Sequence, residues 1–254
     1  MKQTTIDLNA DLGESYGPWN MGNDGAMLDI VSSANIACGF HAGGPVEMAA
    51  TIRLCLDKGV APGAHPGFND LRGFGRRRLP VTDVAELQME LIYQVGAFLG
   101  VATAEGAKPS HIKLHGALSN MACEDAALAR ACVEAFRRVA PTVPVLAQAA
   151  THLESASEAT GPLIREVFAD REYNADGTLV SRNREGAVIH DASRAAERVL
   201  MMLEQQSITA MDGTSFSVQP ESVCVHGDNP AAVTMAEQIR LTLEGSGISI
   251  CAPG

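Results

Sequence analysis

Aromatic side chains are scarce. Phenylalanine, tyrosine and tryptophan together make up 4% of the chain, with a single tryptophan. Most of the 46% hydrophobic content must therefore come from alanine, valine, isoleucine and leucine, which have to pack the core. Long apolar runs are also missing: none approaches the ~20 residues that a membrane-spanning helix needs. The start, Met1 to Asp7, lacks the apolar stretch of a secretory leader. Six cysteines are scattered at positions 38, 55, 123, 132, 224 and 251, with no C-x-x-C pair and no zinc-finger spacing. These absences lead to the expectation of a cytoplasmic protein whose reduced thiols act as small buried hydrophobes.

Positive charge is in short supply, with 19 Lys and Arg against 30 Asp and Glu and a net charge of -11. That argues against nucleic acid or an anionic membrane as the partner. A small anion held by a few local cations stays allowed. The phosphate loop G-x-x-x-x-G-K-[ST], a G-x-G-x-x-G after a strand, a G-x-S-x-G elbow and H-E-x-x-H are all missing. Neither a nucleotide site nor a serine hydrolase is visible.

What is present is an alternation of short β-branched runs with longer helical patterns. Strands are predicted at 4–9, 35–39, 60–64, 111–115, 143–148, 164–169 and 222–225, with 247–251 as an extra candidate. Helices are predicted at 46–58, 84–99, 124–139 and 192–204. A last one is capped by Asp228-Asn229-Pro230. Such alternation means a parallel sheet. Polar residues at strand ends along the whole chain favour a closed sheet, an α/β fold of TIM-like (β/α) barrel type with about seven parallel strands. No linker or repeat interrupts it, so residues 1–254 are read as one barrel domain.

Four histidines, His41, His65, His115 and His226, each stand beside or near glycine at the exit of such a run. In a barrel, reacting groups come from the C-terminal ends of different strands. Any one of them could be a loop histidine bonded to backbone; four in equivalent places are harder to dismiss. In the first strand, period two puts Asp7, Asn9 and Asp11 on one side. Buried polar groups are costly unless paired, so the face lines the barrel interior or mouth; the bland alternative is an exposed edge strand. Lys113 and His115 face one way within a strand that must be central, which makes a functional or salt-bridged lysine the better reading. The stretch Arg72 to Arg78 is expected either to hold a carboxylate or phosphate, or to be a solvated loop that pairs with surface acids or a partner subunit. Asp170, Arg171 and Arg182 lie beyond the sixth strand as further pocket candidates. Carboxylates, histidines, amides and a lysine suit general acid–base hydrolysis, with or without a divalent metal. Asp11 with His41 and His65 would be an acceptable ligand set.

The segments Asp7–Glu14, Asn35–Gly43, Gly63–Gly67 with Gly73–Arg77, Lys113–Leu118, Glu166–Arg171 and Cys224–Asp228, in that order, resemble the LamB/YcsF family over nearly the whole chain. Two mild departures are Ala10, where cysteine is expected, and Gly44, where an acid is expected. The resemblance implies a seven-stranded barrel like those of the glycoside hydrolase/deacetylase superfamily. It implies ATP-dependent opening of the lactam 5-oxo-L-proline to L-glutamate, by a 5-oxoprolinase with two partner subunits, B and C. ATP would be used by the complex, and a homo-oligomer is allowed. Asp11, His41, His65 and His115 are the expected catalytic residues. Asn9, Glu14, Lys113, Asp170, Arg182, His226 and Asp228 are expected to bind substrate. The competing readings are a metal-dependent deacetylase of an N-acyl sugar and a binding subunit without chemistry of its own.

Overall fold

The structure is a computed structural model that describes residues 3–225 and 230–253. Its strands are β1 (Thr5–Leu12), β2 (Ser33–Ala37), β3 (Ala61–His65), β4 (Val145–Gln148), β5 (Leu163–Phe168), β6 (Ser207–Thr209), β7 (Ser215–Ser217), β8 (Ser222–Val225) and β9 (Ser249–Ile250). Its helices are α1 (Asp24–Met27), α2 (Pro45–Lys58), α3 (Val84–Ala104), α4 (Gly116–Glu124), α5 (Ala126–Val139), α6 (His152–Glu158), α7 (Ala192–Gln205) and α8 (Pro230–Gly245). No helix among the described residues is long and apolar enough to cross a membrane.

Six strands run parallel in the order β3-β2-β1-β8-β5-β4, and β9 pairs with the start of β1. The curled sheet is TIM-like, as the alternation predicts. The expected fourth strand, 111–115, is shortened to a bridge at Ile112, once to Ala64 of β3 and once to Val145 of β4, both parallel. The segment fills the seventh position and joins the two open edges through backbone hydrogen bonds. On one side the Ala64 amide donates to the His111 carbonyl and the Lys113 amide to the Ala64 carbonyl. On the other the Ile112 amide donates to the Pro144 carbonyl and the Leu146 amide to the Ile112 carbonyl. The Lys113 carbonyl meets the His65 ring Nδ1 at 2.9 Å, and Gly116 turns at φ +54° straight after. The hairpin of β6 and β7 was not anticipated, although Asp212-Gly213 between its strands is a turn signal.

Helix ends follow local chemistry. Asp83 caps α3 by accepting from the Ala85 and Glu86 amides, and Asp125 caps α5 through Ala127 and Leu128. Proline opens α2, and Gly59 closes it in the left-handed conformation. Helix α3 runs past its expected stop at Leu99, because Ala102 continues the buried face. The expected helix 124–139 is α5 alone, with the separate α4 before it. Between them, Asp125 ends one helix and starts the other. The expected cap at Asp228-Asn229 lies outside the described residues, as do His226 and Asp228 themselves. Five cysteines are buried, as expected, but Cys251 is exposed.

Alanine, valine, isoleucine and leucine dominate the core between sheet and helices. The barrel interior is polar instead, and it is paired. Asp7 accepts hydrogen bonds from Ser32 (2.7 Å), Ser33 (2.9 Å) and Ser222. Asn9 donates to Glu166 (3.0 Å) and Ser222 (2.8 Å) and accepts from Asn35 (2.7 Å). His111 Nε2 lies 2.6 Å from the Asn35 oxygen. With the Asn35 amide already donating to Asn9 and Asp11, that oxygen accepts and His111 donates. Burial, aided by Lys113 and His65, pushes His111 down to about 3, so it sits neutral. Its ring approaches so closely that a Cβ on Gly63 would fall 2.3 Å from it. Only glycine fits there.

Candidate active site

The ends of β1, β2 and β3 and the 110–115 segment deliver their polar side chains to one mouth. His41 and His115 stack face to face with ring centroids 3.7 Å apart, and His65 stands perpendicular to both. Rings His41, His65 and His115 are at most 2% exposed. Burial comes first and neighbouring histidines second in pushing His41 and His115 well below the usual imidazole range. Both are therefore neutral, with lone pairs available. Both ring nitrogens of His41, Nε2 of His65 and Nδ1 of His115 are buried without a hydrogen-bond partner. Buried orphan nitrogens are uncommon and call for a physical reason.

Glu14, from the turn after β1, is also buried here. It joins His41, His65 and His115 in one group, with a ligand atom from each lying within 4.8 Å of the others. Three imidazoles and a carboxylate form a donor set of the kind that holds zinc-like divalent cations. The set differs from the one anticipated. Asp11 is drawn away: its Oδ1 accepts from Asn35 (2.9 Å), lies 3.4 Å from Lys113 Nζ and 3.3 Å from His65 Nε2. The last contact is a close approach and not a hydrogen bond, so His65 Nε2 is unpartnered.

Below this layer lies Lys113, 5% exposed, with Glu166 Oε1 at 2.7 Å, Asn9 Oδ1 at 3.1 Å and Cys224 Sγ at 3.1 Å. Burial works against its charge, but Asp11, Cys224 and Glu166 together hold its pKa well above the ordinary lysine value. Glu166 is pulled up by burial against the attraction of Lys113. The two directions oppose each other, because a protonated Glu166 would weaken the pair. The 2.7 Å contact and the Asn9 amide on the same oxygen favour the carboxylate.

Over the histidines closes the loop 66–78. Gly75, at φ +61°, is so tight that a Cβ would lie 2.7 Å from His115 Nδ1 and 2.8 Å from His41 Cβ. Asp70, below the usual carboxylate range because Arg77 donates to it, ties the loop base. The arginine stretch therefore divides. Arg77 pairs with Asp70 and Arg78 with Glu124, while Arg76 and Arg78 reach the cavity wall. Gly75→Ala should separate the stacked rings and lower activity about ten-fold or more while the helices stay folded, since ~1 Å displacements of positioned groups cost that much. Steady-state rates beside a circular dichroism spectrum would check this; an unchanged rate would mean the stack is irrelevant.

A cavity of about 550 Å³ opens from this point. Asp11, His65, Lys113 and His115 line it, together with Arg171 and Arg182. Of the anticipated residues, Asn9 lies one layer below, His41 and Glu14 lie in the ligand group, and Asp170 is buried beside Arg171 without lining the cavity. Sequence reasoning missed the inner partners Asn35, His111 and Glu166, although period two from the strand ends would have placed Asn35 and Glu166 inward.

Comparison with known proteins agrees with the geometry. The family model described as LamB/YcsF family matches residues 6–253. A protein of Rhodopseudomonas palustris, named as the A component of 5-oxoprolinase, is 50% identical over 246 residues, 96% of this chain and 97% of the relative. The crystal structure of a lactam utilization protein from Thermus thermophilus superposes with a TM-score of 0.91 at 38% identity, covering 98% of this chain and all of that one. A polysaccharide deacetylase of Bacillus cereus, 13% identical with a TM-score of 0.51 over 99% of this chain and 93% of its own, shares the fold alone.

Proposed function

The chain belongs to the LamB/YcsF family, and on that premise we propose that it is the A component of an ATP-dependent 5-oxoprolinase, the barrel that adds water to an activated lactam. The observation that carries this reading is the meeting of a carboxylate, Asp11, with buried histidines in a cavity lined by cations. A lactam is a stable amide, and water attacks it slowly. Partner subunits B and C transfer the γ-phosphoryl group of ATP to the ring carbonyl oxygen of 5-oxo-L-proline. Water then adds to that carbon, and its proton passes to Asp11. The carbon–nitrogen bond breaks with a proton delivered to nitrogen, leaving an acyl phosphate. A second water releases phosphate and L-glutamate. Lys113, fixed by Glu166, faces the negative charge that develops on oxygen.

Glu14, His41, His65 and His115 would hold a divalent cation, which when bound supplies Lewis-acid chemistry and a more acidic water. The expected result is one zinc-type ion per purified chain by elemental analysis, lost in His115→Ala. A chain that takes up no ion on zinc titration would contradict this part. The function itself is tested by glutamate release from 5-oxoproline and ATP, with this chain mixed with B and C and with each left out. Glutamate should need all three. A well-folded full mixture that releases none would overturn the substrate assignment.

A further inference from the structure

The cavity carries positive charge that the proposed reaction does not use. This chain carries a net -11, yet among the described residues the cavity is lined by Arg76, Arg78, Arg171, Arg182 and Lys113 against a single acid, Asp11. Arg78 is answered by Glu124 and Lys113 by Glu166. Arg171 is different. It follows β5, is 4% exposed, and its Nη2 donates to the Val180 carbonyl at 2.7 Å. Its Nε is buried with no hydrogen-bond partner. A buried guanidinium N–H left unpaired is expensive unless something binds to it. Burial first and the neighbouring Arg182 charge second push Arg171 down to about 10, against the pull of Asp170, so it is still charged at neutral pH. Two like charges held side by side at a cavity wall gain when an anion lies between them. Arg76 stands on the histidine side of the same cavity, its guanidinium 5.0 Å from the Phe74 ring centroid.

Resting on the reading above, we propose that Arg171 and Arg182, with Arg76 on the histidine side of the same cavity, form an anion subsite that takes the phosphoryl group of an O-phosphorylated lactam. Free 5-oxoproline brings one carboxylate. The phosphorylated ring brings that carboxylate and a phosphoryl dianion, which suits three arginines better than a single charge does. The placement also fits the direction of the reaction. The phosphoryl oxygens face the arginine wall while the ring carbon faces Asp11 and the histidines, so water and phosphate lie on opposite sides. No nucleotide needs to enter, in keeping with the missing phosphate loop.

The probe is inorganic phosphate, titrated by calorimetry at low salt into the full-length chain, with ATP and free 5-oxoproline as parallel arms. Phosphate should bind at one site. Arg171→Gln and Arg182→Gln should each weaken it roughly ten-fold or more, the size of one lost charge-assisted hydrogen bond. Arg182 is exposed, so its variant folds even if that of the buried Arg171 does not. No phosphate binding, or equal binding in both variants, overturns the proposal. ATP binding tighter than phosphate and lost in the same variants would make this a nucleotide site and also overturn it. Loss of 5-oxoproline binding with phosphate unaffected would make it a carboxylate subsite and overturn it equally. Because phosphate binding needs no partner subunit, its failure beside intact glutamate release sinks only the subsite. Phosphate binding that behaves as expected beside absent glutamate release sinks only the function.

Discussion

Lys113→Met should cost about 3–5 kcal/mol of stability, the usual penalty for removing one partner of a buried ion pair. At this size that is a fall in melting temperature of roughly 6–20 °C. The lysine is 5% exposed and is the counter-charge for both Glu166 and Asp11. Without it, Glu166 and Asp11 share the barrel interior with a third carboxylate, Asp7, and lose their buried cation, keeping neutral partners such as Asn9 and Asn35. Replacing Glu166 by leucine in the same chain removes the orphaned charge, so Lys113→Met/Glu166→Leu should recover much of the loss. Thermal unfolding of the two variants checks this. A single variant within ~0.5 kcal/mol of wild type would mean that the lysine is not paired as described.

The second large effect is on rate. Asp11→Asn should lower glutamate release by about 10²–10⁴-fold, the usual contribution of a positioned general base. Asparagine is isosteric, and its side-chain oxygen can still accept from Asn35 and Lys113, so the melting temperature should move little. Substrate binding should also hold, because Arg171 and Arg182, which line the same cavity, are untouched by the substitution. The expected signature is a fall in kcat with KM nearly unchanged. A fall of less than about ten-fold would assign the base elsewhere, with His65, 3.3 Å away, the first alternative.

Much of this site could be read from strand ends. Period two in β1 already put Asp7, Asn9 and Asp11 on one face, and their partners turn out to be the serines, Asn35 and Glu166 of neighbouring strands. The glycine-flanked histidines His41, His65 and His115 do meet. What the sequence could not show depends on distances between segments. Asp11 looked like a metal ligand because it follows a strand, but Lys113 and Asn35 hold its oxygen, and Glu14 is the acid that joins the histidines. The seventh strand is present but shorter than expected: the backbone around Ile112 bonds to both neighbours, while the Lys113 carbonyl meets the His65 ring, since Pro66 has no N–H to offer. Arg171 gave no signal beyond its place after β5, since its importance lies in an unpaired Nε that only packing reveals. The hairpin of β6 and β7 escaped because its strands are three residues each, too short for a periodic pattern.

At the centre of the proposed function stands a division of labour, in which B and C would activate the lactam and this barrel would add the water. The most direct measurement is a single turnover of ATP by B and C with 5-oxoproline, following ADP and glutamate together, before and after this chain is added. The account predicts ADP without glutamate from B and C alone, then glutamate once the wild-type chain is present, and none with Asp11→Asn. Glutamate formed by B and C without this chain, or formed equally well with Asp11→Asn, would contradict it.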